Sequence, residues 1–246
     1  MTNVPPQNAI VTGASRGIGR AVVLRLARDG FAVVVNYSGS RDKAAEVVAA
    51  IEGQGGRGTA VQADVADPAG VARLFDAAEQ AHGRIGVVVN SAGIMKLSPI
   101  AAISVEDFDA LFNVNVRGTF NVLQQAARRL TDGGRIITMS TSVLGMNFPG
   151  YAPYAASKGA VEVLTRILAH ELRGRGISVN AVAPGPTATD LFLEGKTHEQ
   201  IDRLAKLPPM ERLGTPDDIA NVVSFLAGPE GGWVNAQTLR ANGGYT

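Results

Sequence analysis

The sequence predicts an α/β fold, a single domain (1–246) on a doubly wound parallel sheet of about seven strands with helices on both faces. Three observations carry this. Apolar, β-rich runs recur at 8–13, 31–36, 58–64, 86–90, 135–140, 177–183 and 236–241. Stretches of roughly 15 to 30 residues with helical periodicity separate most of them, as in Val22 and Leu26 after the first run or Leu111, Val114 and Val122 in the fourth crossover. The runs are almost unbroken in apolar character, which is what strands covered by helices on both faces require.

Taken in order, the first run, NAIVTG, leads into TGASRGIG (12–19), a glycine-rich turn that opens the first helix. The second, FAVVVN, is followed by YSGSR, and the third by Asp67-Pro68, a cap residue before proline at the first helical position. After the fourth run, Ser104 with Asp107 has the form of a capping box. The fifth, RIITMS, precedes YAASK (154–158) at the start of a run of good helix formers. The sixth, ISVNAVA, gives way to a long Pro-, Gly- and Thr-rich segment at 184–210 with a short helical stretch near 197–206, the usual character of a lid or binding loop. Thr215-Pro216 starts one more helix before the last strand.

Composition narrows the function. Apolar residues make up 46% of the 246, enough to bury a substantial core. Lys and Arg total 23 against 22 Asp and Glu, a net charge of +1 without long runs of one sign, so neither nucleic acid nor a membrane surface is an expected partner. A small molecule is. Without cysteine there is no disulfide, thiol nucleophile or thiolate metal site, and His82, His170 and His198 lie too far apart to suggest a metal centre. The start, MTNVPPQ, is short and polar, and no apolar run approaches the roughly 20 residues that span a bilayer, so a cytoplasmic protein is expected.

The glycine turn spaces its glycines as G-x-x-x-G-x-G. Glycines there let the backbone turn sharply and approach a pyrophosphate, which then meets the free N–H groups and positive dipole end of the helix. Position after the first strand of a doubly wound, Rossmann-type sheet puts the turn beside the expected ligand crevice. The second strand ends in VVVNYSGSR, with no acid before Asp42 to take a ribose 2′-hydroxyl. Asn36, Tyr37 and Ser38 offer hydrogen bonds, and Arg16 and Arg41 offer charge, which favours NADP(H); simple solvation of both arginines would leave a weak or dual preference. In YAASK, Tyr154 and Lys158 share one helix face at i and i+4, so the ammonium can favour the phenolate and bring the phenol towards useful proton transfer.

Four motifs in register with the strands, TGASRGIG at 12–19, NSAG at 90–93, YAASK at 154–158 and PGPTATD at 184–190, resemble the short-chain dehydrogenases/reductases over essentially the whole chain. Within that family ISVNAVAPG and the ending RANGGYT are most similar to polyhydroxynaphthalene-reductase-like and 3-oxoacyl-thioester-reductase-like members. The resemblance implies an oxidoreductase in which Tyr154 is the acid in reduction and the base in oxidation. Lys158 would lower its pKa and bind the nicotinamide ribose, and Asn115 would hold a water linking Lys158 to solvent. Gly13, Ser15, Arg16, Gly17, Ile18 and Gly19 would hold the pyrophosphate end of the cofactor, Asp64 and Val65 would flank the adenine, and Asn90, Ala92 and Gly93 would line its floor. Pro184, Gly185, Thr187 and Thr189 would meet the nicotinamide end, Thr187 at the amide or pyrophosphate. A homotetramer through 105–130, 152–174 and the last strand is the family expectation.

The substrate-orienting serine is less clear. Counting from the strand or back from Tyr154 gives Thr141, and spacing to Gly145 gives Ser142. Ser142 is preferred because the local turn that aims the hydroxyl depends on Gly145; Ser140 would satisfy the strand end. The expected reaction is NADPH-dependent interconversion of a ketone and a secondary alcohol, with 3-oxoacyl-thioester reduction as alternative, for which Lys196, Arg203 and Lys206 could receive a phosphorylated arm. Leu191, Phe192, Leu193 and Leu207 would cover an apolar pocket or else form a packed helix face. A cofactor-binding regulatory protein is the non-enzymatic alternative.

Overall fold

The computed structural model describes residues 8–246. Seven parallel strands, β1 (Asn8–Thr12), β2 (Ala32–Tyr37), β3 (Arg57–Gln62), β4 (Val87–Asn90), β5 (Arg135–Met139), β6 (Ser178–Pro184) and β7 (Thr238–Ala241), form one sheet in the order β3-β2-β1-β4-β5-β6-β7. All seven expected strands are present. Side-chain alternation explains their unbroken apolar runs. Ala9, Val11, Val33, Val35, Val87 and Val89 point to one core, and Ile10, Val34 and Val88 to the other.

The first core is closed by helices α1 (Gly17–Arg28), α2 (Arg41–Glu52) and α9 (Pro216–Ala227), through Val22, Leu26, Val47, Ile219 and Val223 among others. The second is closed by α3 (Pro68–His82), α5 (Gly118–Arg129) and α6 (Ala152–Glu171), with Leu74, Phe75, Val122 and Leu168 buried against the sheet. The chain crosses to opposite faces on leaving β1 and β4, which makes the C-terminal edge between these strands the crevice of the fold.

Local chemistry sets the helix starts. Asp67 accepts a hydrogen bond from the Ala69 N–H before Pro68, and Thr215 and Asp218 form a complete capping box around Pro216. Only half of the box expected at Ser104 forms. Its hydroxyl accepts from the Asp107 N–H at the start of α4 (Val105–Phe112), while the Asp107 carboxylate pairs with Lys96 instead. Between α4 and α5 the chain widens into a π-helical turn, Asn113–Arg117, a distortion that tends to mark functional sites. After β6 come two short helices, α7 (Asp190–Leu193) and α8 (His198–Ala205), the second with a Thr197–Gln200 capping box. Among the described residues no helix is long and apolar enough to cross a membrane.

Candidate active site

A cavity opens at the C-terminal edge of the sheet, where the segments after β1, β4, β5 and β6 converge. One end is the glycine turn. Gly13 (φ +63°) and Gly17 (φ +54°) adopt the left-handed conformation that glycine tolerates, and a side chain on Gly13 would lie 2.8 Å from Ala92 Cα. A Cβ on Gly19 would meet the Gly13 carbonyl oxygen at 2.3 Å, so the turn closes on itself only with glycine at both positions. Helix α1 then begins at Gly17 with no side-chain cap and no acidic residue in its first turn. Free N–H groups, the helix dipole and a bare backbone fit a pyrophosphate. Arg16 projects into solvent at this end and, like Arg41, forms no ion pair among the described residues.

The other end holds the titratable pair. Tyr154 and Lys158, on the first turns of α6, both line the cavity, with Thr141, Ser142, Gly93, Pro184, Gly185 and Thr187 around them. Lys158 is buried and its Nζ donates to the Met139 carbonyl at 2.8 Å. Burial without a counter-ion pulls it down to about 8. Tyr154 goes the other way. Burial pushes the phenol up to about 12, partly offset by a hydrogen bond with the Thr141 side chain, and the neighbouring Tyr151 adds to the rise. Desolvation is the largest cause of the rise, and the Lys158 ammonium is directed onto the Met139 carbonyl.

The two adjacent hydroxyls have different surroundings. Ser142 is buried with its Oγ donating to the Ala183 carbonyl at 2.9 Å and accepting from Asn242 Nδ2 at 2.9 Å. Both hydroxyl residues line the cavity; that of Ser142 is engaged by Ala183 and Asn242, and the Thr141 side chain acts on the Tyr154 phenol. Thr141 also caps the 3-10 turn Ser142–Gly145 by accepting from the Val143 N–H. Ser140 bonds to Glu162 on α6, 2.6 Å away.

Several candidates act behind the cavity wall. Thr12 Oγ1 accepts from the Ala92 N–H at 3.0 Å and donates to Asn90 Oδ1 at 2.8 Å; Asn90 Nδ2 donates to Thr119 Oγ1 at 2.8 Å; and Thr119 donates to the Asn115 carbonyl at 2.6 Å. Asn115 Nδ2 in turn donates to Ser157 Oγ at 3.0 Å, and Ser157 to the Tyr154 carbonyl at 2.7 Å. Asn115 also exchanges two bonds with the backbone of Ile94, and its Oδ1 and Lys158 Nζ both face Gly93, at 3.2 and 3.4 Å from where a Cβ would stand. Asn90 is thus internal, and Ser91 and Gly93 supply the floor. Thr119 lay outside every motif in the sequence, and Thr12 and Ser157, though inside TGASRGIG and YAASK, were given no role there.

At the far end of β2, Asn36 and Tyr37 do not present their side chains to a ligand. Asn36 Nδ2 donates to the Ala63 and Val61 carbonyls, its Oδ1 accepts from the Gly13 N–H at 3.4 Å, and Tyr37 is packed in the first core. An inward-facing position on a fully covered strand explains both. Asn36 holds the glycine turn, and Ser38, Arg16 and Arg41 remain exposed. Asp64, also exposed, accepts from the Ala66 N–H; Val65 is buried against Gly118. Ser15 and Ala92 lie in the turn and the facing strap rather than in the cavity wall, whereas Ile18 lines it.

Substrate-side walls come from Ile94, Met95, Phe148, Tyr151, Leu191, Phe192, Leu204 and Tyr245. Leu191 and Phe192 line the cavity, as does Leu204 on α8, whereas Leu193 and Leu207 are not part of its wall. Lys196 folds over the Phe192 ring at 4.6 Å. Thr189 caps α7 and touches Gly17, and Thr187 donates to the Gly185 carbonyl.

A family model described as enoyl-(acyl carrier protein) reductase matches residues 13–246. A "short-chain type dehydrogenase/reductase" from Picea abies is 49% identical across 96% of this chain and 91% of the relative. The chain belongs to the short-chain dehydrogenase/reductase family. An "NADPH-dependent aldehyde reductase-like protein, chloroplastic" from Arabidopsis thaliana is 46% identical over 96% of this chain and 93% of its own length. Among solved structures, a short-chain dehydrogenase from Burkholderia cenocepacia J2315 in complex with NADP superposes with a TM-score of 0.92, at 40% identity and 98% coverage of both chains. As a short-chain dehydrogenase/reductase the protein is an oxidoreductase, and the motifs at 12–19, 90–93, 154–158 and 184–190 fall on the glycine turn, the segment after β4, the start of α6 and the strap after β6, around one crevice.

Proposed function

We propose that the protein is an NADP(H)-dependent carbonyl reductase, or alcohol dehydrogenase in reverse, with Tyr154 as its proton donor and acceptor. One observation carries the reading: a single cavity joins an uncapped, glycine-built helix start bearing an unpaired arginine to a buried phenol–lysine pair. The bound nicotinamide cofactor would supply or accept the hydride at the carbonyl carbon. The chain's own residues do the rest. In reduction, Tyr154 gives its hydroxyl proton to the carbonyl oxygen as the alcohol forms, and Thr141 donates a hydrogen bond that fixes that oxygen. Lys158, one turn further along the same helix, would stabilise the phenolate left behind, and a proton taken up from solvent past Gly93 and the Asn115 turn would restore the phenol. Arg16 and Ser38, exposed beyond the turn, would meet a 2′-phosphate, for which the end of β2 offers no competing carboxylate.

The names of the relatives support NADPH over NADH and carbonyl reduction as chemistry. Residues 184–210 serve as the substrate lid. Exposed apolar side chains on α4, α5 and α6, Phe108, Phe120, Val163 and Ile167, support a homotetramer. The test is turnover of ketones and aldehydes with each dinucleotide. NADPH should give at least tenfold higher kcat/KM than NADH, Arg16→Ala should narrow that gap, and Tyr154→Phe should abolish turnover while NADPH still binds. Tight NADPH binding with no turnover of linear, cyclic or aromatic carbonyls would favour the regulatory reading.

A further inference from the structure

Three of the chain's four tyrosines line the one cavity: Tyr154, Tyr151 and Tyr245. Only the first has a part in proton transfer. Tyr151, Tyr245 and Phe148 form an aromatic cluster, with ring centroids 5.6 Å apart for Phe148–Tyr151 and 6.4 Å for Phe148–Tyr245. None of the three belongs to either hydrophobic core, and all are half-buried. Large rings left out of the core and turned into a cavity are spare contact surface. Burial also raises the phenols of Tyr151 and Tyr245, and the neighbouring Tyr151 adds to the rise at Tyr245.

Tyr245 is not there by default of a flexible tail. The segment after β7 is fastened to the wall that carries Thr141: Asn242 Nδ2 donates to Ser142 Oγ at 2.9 Å and to Thr246 Oγ1 at 3.2 Å, and its Oδ1 accepts from the Gly244 N–H at 3.0 Å. Gly243 (φ +64°) and Gly244 (φ +83°) then reverse the chain against Pro208, Pro209 and Met210 at the foot of the post-β6 segment. Thr246 packs on Gly145, where a Cβ would approach it to 3.0 Å. The clasp uses up the serine that a substrate would otherwise meet and delivers a ring in its place.

We propose that Tyr245 is a specificity-determining residue, held by the Asn242–Ser142 clasp, and that with Phe148 and Tyr151 it selects carbonyl compounds carrying an aromatic ring. Stacked or edge-on rings at 4.5–7 Å gain attraction beyond area burial, roughly a factor of ten in binding for one well-placed pair, which a saturated ring of the same size does not share. The inference rests on the cavity beside Tyr154 being the carbonyl site.

The experiment compares NADPH-dependent reduction of acetophenone with that of cyclohexyl methyl ketone, a near match in size that lacks the aromatic face. The wild type should prefer acetophenone. Tyr245→Ala should cut the acetophenone-to-cyclohexyl ratio of kcat/KM about tenfold, chiefly by raising KM for acetophenone, with NADPH affinity measured in parallel as a control. Tyr245→Phe should recover most of that loss, and Asn242→Ala, which loosens the clasp without touching the ring, should reproduce the KM effect in part. Equal scaling of both ketones in Tyr245→Ala, a wild type that prefers the cyclohexyl ketone or reduces only non-aromatic carbonyls, or a Tyr245→Phe variant as impaired as Tyr245→Ala would overturn the inference. A wild type that binds NADPH and reduces neither ketone nor any other carbonyl would instead sink the reductase reading on which it depends.

Discussion

Exchanging the roles of two adjacent hydroxyls gives the sharpest test of the site. Thr141→Val removes the Oγ1 that reaches Tyr154 while keeping the side chain's volume, and Ser142→Ala removes the Oγ that joins Asn242 to the Ala183 carbonyl. If Thr141 fixes the reacting oxygen, its loss removes one donor from the transition state, a deficit of about a hundredfold in kcat, or about 3 kcal/mol. Its cap to the Val143 N–H adds about 1 kcal/mol of stability loss. Ser142→Ala strands a partly buried carboxamide donor and a carbonyl acceptor, which costs about 1–3 kcal/mol of folding stability but leaves the Tyr154–Thr141 pair in place. The expected pattern is therefore opposed: Thr141→Val slow and nearly as stable, Ser142→Ala less stable with kcat within about tenfold, and Thr141→Ser close to wild type in rate. Steady-state kinetics with saturating NADPH and urea unfolding measure both sides. A hundredfold drop in kcat for Ser142→Ala beside an active Thr141→Val would refute the reasoning.

Three other expectations follow from the same geometry. Tyr154→Phe should lower kcat on the order of a thousandfold while NADPH affinity, read by fluorescence titration, changes little; retained turnover would remove the phenol from the mechanism. Lys158 is held at about 8 against an ordinary 10.5, so between those pH values the unfolded chain binds the proton that the folded one has released, and stability rises with pH by up to about 1.4 kcal/mol per unit. Tyr154, raised from 10.0 to about 12, reverses the trend above pH 10. The difference in unfolding free energy between wild type and Lys158→Met, measured at about pH 7.5 and about pH 9.5, should grow with pH; a constant difference would contradict the buried lysine's weakened hold on its proton. Gly13→Ala forces a side chain to 2.8 Å from Ala92 Cα at φ +63° and should cost about 3 kcal/mol or more of stability together with dinucleotide binding; normal NADPH affinity in this variant would show that the turn has room to spare.

The sheet was legible because a strand covered on both faces must be apolar at every position, so Val33 to Val35 or Val87 to Val89 announce themselves without alternation. Glycines, Tyr154 and Lys158 were legible because their spacing is the chemistry. Hydroxyls and carboxamides were harder. Thr141 and Ser142 are adjacent and chemically alike, and the bond that sets their hydroxyls apart comes from Asn242, a hundred residues later in the chain. Asn36 read as a ligand contact because its position after VVV is right; its amide is spent on the Val61 and Ala63 carbonyls, a pairing that depends on β3 lying alongside. Tyr245 had no periodic signal, since it sits in a reversal made by two glycines, and the desolvation that raises Tyr154 arises from a cavity wall gathered from four distant loops.

The bonded chain from Thr12 through Asn90, Thr119, Asn115 and Ser157 to Tyr154 divides the molecule's labour. The frame so braced carries Tyr154 and Lys158 and is contributed before the end of α6, whereas Pro184, Gly185 and Thr187 join the cavity wall from the strap after it. Of the apolar and aromatic wall, Ile94, Met95, Phe148 and Tyr151 come from chain before β6, whereas Leu191, Phe192, Leu204 and Tyr245 come from chain that follows it and are tied to the frame at few points. New preferences can therefore be written into the last quarter of the chain, by exchange of 191–207 or 242–246, while the reactive machinery stays as it is.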